Sequence, residues 1–173
     1  MKLTWFGGTT LRVYVGGEIV VVDADQAPAG VDRSELLAGA DRVVAMGGTE
    51  QIDPALWRPR PVPRAIDEAL PVEAVSIGPA ALLISAAGEL PLVILGAGEP
   101  PRFGRWADGA VVVLTSGRES LVAEAKALLD VARPRLIALA VDEQTLETTI
   151  AELSEHLDGA GLVSLEPGLA LEV

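Results

Sequence analysis

The chain has 173 residues, thirteen of them basic and twenty-five acidic, which leaves a formal charge of −12 at pH 7. Such a charge repels nucleic acid and anionic membranes, and a hydrophobic content of 50% excludes a disordered chain. The absence of cysteine and the presence of one histidine, His156, remove disulfides, thiolate metal sites, cysteine nucleophiles and most zinc chemistry.

In chain order, residues 11–15 alternate side chains, Gly16-Gly17 supplies a turn and residues 18–22 form a β-branched run, so a hairpin is expected. Asp32 with Glu35 three residues later, and Gly39 as a stop, predicts a short helix. Residues 41–46 read as a strand released into Gly47-Gly48, and Asp53-Pro54 as the start of a second helix. Residues 57–64 hold three prolines among Trp57, Arg58, Arg60 and Arg64, and predict an extended loop.

A shift of 71 residues then sets Gly7 on Gly78, Leu11 on Leu82, Gly17-Glu18 on Gly88-Glu89 and Val22 on Val93. With a two-residue adjustment Val43-Val44 falls on Val112-Val113 and Gly48 on Gly117. One domain over residues 1–173, built from two repeated halves, 1–70 and 71–173, is the expectation. Ser116 with Glu119 reads as a capping box for a helix whose apolar face is Leu121, Val122, Ala125, Leu128 and Leu129, ended by Arg133-Pro134. Residues 136–141 form a buried strand. Asp142 caps a helix with Leu146, Ile150, Leu153 and Leu157 on one face, and short strands over 162–165 and 169–173 flank the turn Glu166-Pro167-Gly168. Sheets with helices outside them predict an α/β sandwich. Residues 1–8 lack the apolar stretch of a secretion signal, and polar residues and glycines interrupt 80–97, so a cytoplasmic protein is expected.

The opening Met-Lys-Leu-Thr-Trp-Phe-Gly-Gly-Thr-Thr-Leu-Arg-Val resembles the first strands of metallo-β-lactamase-fold hydrolases, most nearly the branch with ascorbate-phosphate lactonase-like proteins. Glu166-Pro167-Gly168 with its following strand resembles that branch's ending, and residues 107–141 the strand, helix and strand before its last metal loop. The resemblance implies a four-layer αββα sandwich (α+β), shortened in its loops. It also locates a metal site whose ligands have changed. The opening histidine position is Gly8. The His-x-His-x-Asp-His position is Met46-Gly47-Gly48-Thr49-Glu50-Gln51, the bridging aspartate falls at Glu99, and the last histidine falls near Val141. Zinc is therefore not expected, and the fold's usual reaction is disfavoured.

Glu50, Glu99 and Asp142, with Gln51, offer oxygen donors for a hard divalent cation, against the simpler reading of Asp142 as a helix cap. His156 reads as a solvated residue near a helix end. Gly96-Ala97-Gly98 lacks the third glycine of a dinucleotide fingerprint and runs into Pro100-Pro101. A phosphate on the amides after Ser116-Gly117-Arg118 competes with the capping box. Trp57, Arg58 and Arg60 in one loop, and Arg102, Phe103, Arg105 and Trp106 in its counterpart, suit an anion or planar ligand, or else pin proline-rich loops to the core. Together these features predict a non-catalytic domain acting in binding or assembly, with no cofactor, no nucleic acid and no membrane, and with a small anionic ligand or a protein as partner. The alternatives are a hydrolase for a small anionic substrate and a structural subunit of an oligomer.

Overall fold

The computed structural model describes residues 1–61 and 71–173; residues 62–70, Arg64 among them, and the side chains of Arg118 and Glu119 lie outside the description. Alternating apolar residues and the Gly16-Gly17 turn produce an antiparallel run of β1 (Lys2–Gly7), β2 (Thr10–Val15) and β3 (Glu18–Val22). A helix, α1 (Arg33–Leu37), then crosses to β4 (Arg42–Val44), parallel to β3. The C-terminal β11 (Ala170–Glu172) closes the other side, giving the order β11-β1-β2-β3-β4. Arg12 on β2 donates to the carbonyls of Leu36 at 2.8 Å and Ala38 at 2.7 Å, which caps the end of α1.

The second sheet holds β5 (Glu73–Gly78), β6 (Ala81–Ser85), β7 (Leu92–Leu95), β8 (Val111–Leu114), β9 (Leu136–Leu139) and β10 (Gly161–Ser164), in the order β10-β9-β8-β7-β6-β5. Strands β7 to β10 run parallel, joined through α2 (Arg118–Val131) and α3 (Glu143–Leu153). Leu-Val-Ile-Leu and Val-Val-Val-Leu in β7 and β8 are buried on both faces, as a covered parallel sheet requires. Leu82, Ile84, Leu92, Ile94 and Val113 face Leu3, Trp5, Val13 and Val20 between the sheets. Their alternates Val93, Leu95, Val112 and Leu114 meet Leu121, Ala125 and Leu128 of α2. Each fully buried Leu or Ile contributes about 1.5–3 kcal/mol. Val21, Ala24 and Leu36 form a thinner outer layer on the first sheet, completing an αββα sandwich. No helix among the described residues is long and apolar enough to cross a membrane.

Strand register carries the internal repeat in detail. The β1–β2 pairs Leu3↔Val13, Trp5↔Leu11 and Gly7↔Thr10 recur 71 residues on as Ala74↔Ile84, Ser76↔Leu82 and Gly78↔Ala81, with the same bulge before the glycine. One extra residue in the second turn moves the third strand, so Val22 corresponds to Ile94 rather than to Val93. The Gly-Glu corners explain themselves here. Glu18 accepts from the Val72 amide at 3.2 Å, and Glu89 pairs with the amino group of Met1, the residue equivalent to Val72, also at 3.2 Å. Each glutamate thus ties its own turn to the start of the other half of the repeat.

Three local expectations are corrected. Asp53-Pro54 starts a single turn, in which Asp53 accepts from Ala55 N at 2.9 Å, and no helix continues from it over the described residues to 61. One turn without propagation is unstable by itself, and packing draws Trp57 away onto the sheet. The N-cap of α2 is Gly117, not Ser116, whose hydroxyl is bonded to Glu124 instead. The buried stripe of α3 is Thr145, Thr149 and Leu153, while Ile150 is 39% exposed. Burial of Thr149 is inexpensive because its hydroxyl donates to Thr145 O at 2.7 Å.

The predicted caps at Asp32 and Asp142 form as expected. Asp32 accepts from the Ser34 hydroxyl and from the amides of Ser34 and Glu35, and Asp142 from the Thr145 amide and hydroxyl. These bonds hold both carboxyls below their ordinary 3.8. A lowered folded pKa means that the stabilisation is complete above the unfolded value and disappears as pH falls through the folded one. The advantage of wild type over Asp142→Ala, followed by urea unfolding, is therefore expected to be constant above pH ~5 and to shrink below 3.8.

Candidate functional site

Parallel strands place their carboxyl ends together, and in this sandwich the loops leaving β4, β7, β8 and β9 gather along one edge with the turns after β1 and β5. Within the second sheet Gly96 N donates to Ala80 O at 2.7 Å. Between the sheets, the backbone of Gly47, leaving β4, passes so close to Pro79 in the β5–β6 turn that a Cβ on it would lie 2.7 Å from the Pro79 carbonyl oxygen. Met46 packs into the core between the sheets, its methyl against Gly96, where an added Cβ would meet it at 3.0 Å.

Asp23 organises this edge, although no motif marked it. It ends β3 with φ +48°, a conformation that aspartate tolerates better than most side chains. Its carboxylate accepts from the Thr9 hydroxyl at 2.6 Å and from the Met46 amide at 2.8 Å, while its own amide donates to Val44 O. One side chain therefore holds the Gly8 turn against the segment that leaves β4. The only sequence signal was an acid closing an apolar strand.

Two clefts open on the edge. The larger, about 490 Å³, lies between the 96–101 loop, the β5–β6 turn and α2, with Ile77, Ala81, Leu95 and Pro101 as apolar walls. Gln51, Glu99 and Arg102 stand at its exposed mouth, and Glu124 at its inner side is only 5% exposed. The smaller cleft, about 440 Å³, is lined by Trp5, Gly8, Ser116, Val141, Asp142 and Pro167. The residues singled out in the sequence are thus divided. Gly8 and Val141 share one cleft, Gln51 and Glu99 the other, and Met46, Gly48 and Glu50 line neither. Ser116 lines the smaller cleft and Glu124 the larger, so their hydrogen bond stands in the wall between them. Glu124 also accepts from Gly98 N at 2.9 Å. Sequence reasoning passed over it, yet a charge between Leu121 and Leu128 on the buried stripe of α2 was the available signal.

The two aromatic loops meet. Trp57 and Trp106 pack edge to face with centroids 4.8 Å apart, and Phe103 stands edge to face on Trp106 at 5.8 Å. Their indole N–H groups are engaged, Trp106 with Pro54 O at 2.7 Å and Trp57 with Glu73 at 3.0 Å. Arg58 donates to the carbonyls of Ala55 and Trp57, and Arg60 to Glu73 at 3.3 Å. The cluster covers the outer face of the second sheet beyond α2. Of the described arginine side chains, Arg102 alone lines the larger cleft; Arg105 is exposed outside it. His156 is exposed after α3, its Nδ1 3.1 Å from Glu152 O.

The donor set does not fit a hydrolytic metal centre. Asp142 directs both oxygens to Thr145, Glu50 and Glu99 are exposed on different loops, and no three His, Cys, Asp or Glu side chains among the described residues converge to hold an ion. Solved structures nevertheless share the whole architecture. A metallo hydrolase from the hyperthermophilic archaeon Ignicoccus hospitalis matches over 99% of this chain and 98% of its own, with a TM-score of 0.54 and 14% identity. An isothiocyanate hydrolase from Delia radicum gut bacteria matches over 100% and 99%, with a TM-score of 0.52 and 12% identity. A proposed Zn-dependent hydrolase of the metallo-β-lactamase superfamily from Thermotoga maritima matches over 96% and 99%, with a TM-score of 0.50 and 14% identity. No family model and no curated protein matches the sequence. At identities this low the likeness shows the fold alone: the chain is an α+β sandwich of metallo-β-lactamase type.

Proposed function

We propose that this chain is a non-catalytic protein of the metallo-β-lactamase fold, akin to the ascorbate-phosphate lactonase-like branch, that acts in the cytoplasm by binding or assembly. The observation that carries the reading is the chemistry at the strand ends. A hydrolytic zinc site needs about three imidazole or carboxylate donors around an open position. Gly8, Met46, Gly48 and Val141 offer a thioether, methyl groups and hydrogen, and the Met46 methyl lies against Gly96. Affinity with the lactonase-like branch rests on the Glu166–Gly168 turn, whose Gly168 amide donates to Trp5 O at 2.7 Å beside the opening strand. Binding is supported by the larger cleft, whose volume suits a small molecule.

Metal analysis of protein purified without a histidine tag is expected to find zinc and iron well below one equivalent. Added zinc should leave the melting temperature unchanged, whereas an ion at 100 times its Kd would add about 2.7 kcal/mol. Stoichiometric metal that survives dialysis, with a hydrolytic activity lost on chelation, would overturn the reading.

A further inference from the structure

Glu124 is the one charged side chain that is buried among the described residues, and no described lysine or arginine side chain lies within 4.0 Å of it. Its two bonds come from neutral donors, Gly98 N–H and the Ser116 hydroxyl. A carboxylate has about four acceptor sites, so these two leave capacity unused. An ionised group removed from water without a counter-charge is costly, and a cation arriving from outside offsets that cost.

We infer that the larger cleft binds a small organic cation, a primary ammonium on a hydrocarbon body, with Glu124 receiving the ammonium. The inference deepens the binding function proposed above and rests on it. Charge decides between a cation and an anion. Arg102 is exposed at the mouth, where water screens it, and Glu99 beside it opposes an anion. The chain's formal charge of −12 draws cations toward the surface. A metal ion is a poor occupant, because one buried carboxylate and an exposed one are too few ligands. Ile77, Ala81, Leu95 and Pro101 give the hydrocarbon an apolar surface to cover.

The test titrates the intact protein with n-pentylammonium, pentanoate and pentanol at one ionic strength, reading the melting temperature and calorimetric heat. Pentylammonium is expected to raise the melting temperature saturably and the other two to have little effect. Glu124→Gln keeps the side chain's shape and removes the charge. Its amide oxygen can still accept from Gly98 N–H, while its amide N–H must donate to the Ser116 hydroxyl oxygen, reversing that bond. The variant should weaken pentylammonium binding about tenfold or more. Ala97→Trp, at an exposed position on the cleft wall, should block binding with Glu124 intact and serves if Glu124→Gln fails to fold. A pentanoate response as large as that of the amine, equal responses to all three probes, no response to any, or unchanged amine affinity in either folded variant overturns the inference. Metal analysis of the same preparation separates the two readings. Stoichiometric metal defeats the non-catalytic function, whereas metal-free protein that ignores the amine defeats only the ligand class.

Discussion

Trp106→Ala is expected to cost about 3–5 kcal/mol of stability, measured by denaturant unfolding. The indole is 7% exposed and sits among Trp57, Phe103 and the outer face of the second sheet, so its removal leaves a cavity that rigid strands cannot close. It also strands the Pro54 carbonyl, which now receives the indole N–H in a buried hydrogen bond. Trp106→Phe separates the two effects: the ring packing largely survives and the carbonyl is left unsatisfied, for about 1–3 kcal/mol. If Trp106→Ala unfolds at the same denaturant concentration as wild type, the aromatic loops are not part of the cooperative core. Their spare arginine and aromatic surface would then have to be explained by a ligand.

Gly47→Ala should cost about 2–5 kcal/mol, a large effect for one methyl group at an exposed residue. Gly47 has φ +72°, where a side chain costs about 1–2 kcal/mol. Its Cβ would also lie 2.7 Å from a backbone oxygen, Pro79 O, which cannot swing aside as a flexible side chain would. Forcing the loops apart adds roughly another 1–3 kcal/mol. Gly17→Ala is the control. Gly17 has φ +84° with nothing within 4 Å, so it should show the conformational part alone. Equal losses in the two variants would show that the contact between the β4 exit loop and the β5–β6 turn contributes nothing. That contact also positions Met46 near Gly96, so Gly47→Ala is expected to loosen the strand-end edge while the individual strands remain intact.

Much of the architecture was legible because it depends on local chemistry. Alternation and a β-branched run predicted β2 and β3, the internal repeat placed the strands now seen as β7 and β8, and the side chains of Asp32 and Asp142 cap their helices where the spacing placed them. The 71-residue repeat was readable because a bulge and its glycine recur in the same register. Its one-residue error at Val22 arose in a turn, where an inserted residue leaves no trace in the apolar pattern. The helix expected at Asp53-Pro54 did not form, because its start signals were satisfied by a single turn while Trp57 gained more by packing on the sheet. Ile150 was misplaced because periodicity chooses the most apolar stripe, whereas packing accepted Thr145 and Thr149 with their hydroxyls satisfied within the helix.

By itself the sequence determined most of the order of elements, the layered plan of sheets with helices outside and the poverty of metal donors, all of which follow from residue type and near-neighbour spacing. Tertiary structure alone decided how those residues combine. It placed Gly8 with Val141 and Gln51 with Glu99 in separate clefts, spent Arg58 and Arg60 on local partners, and made Asp23 the link between two loops. It also set Glu124 at the inner side of an apolar cleft, bonded to Gly98 and Ser116. Such assignments depend on which distant segments the two sheets bring within hydrogen-bonding reach, and no local pattern encodes that distance.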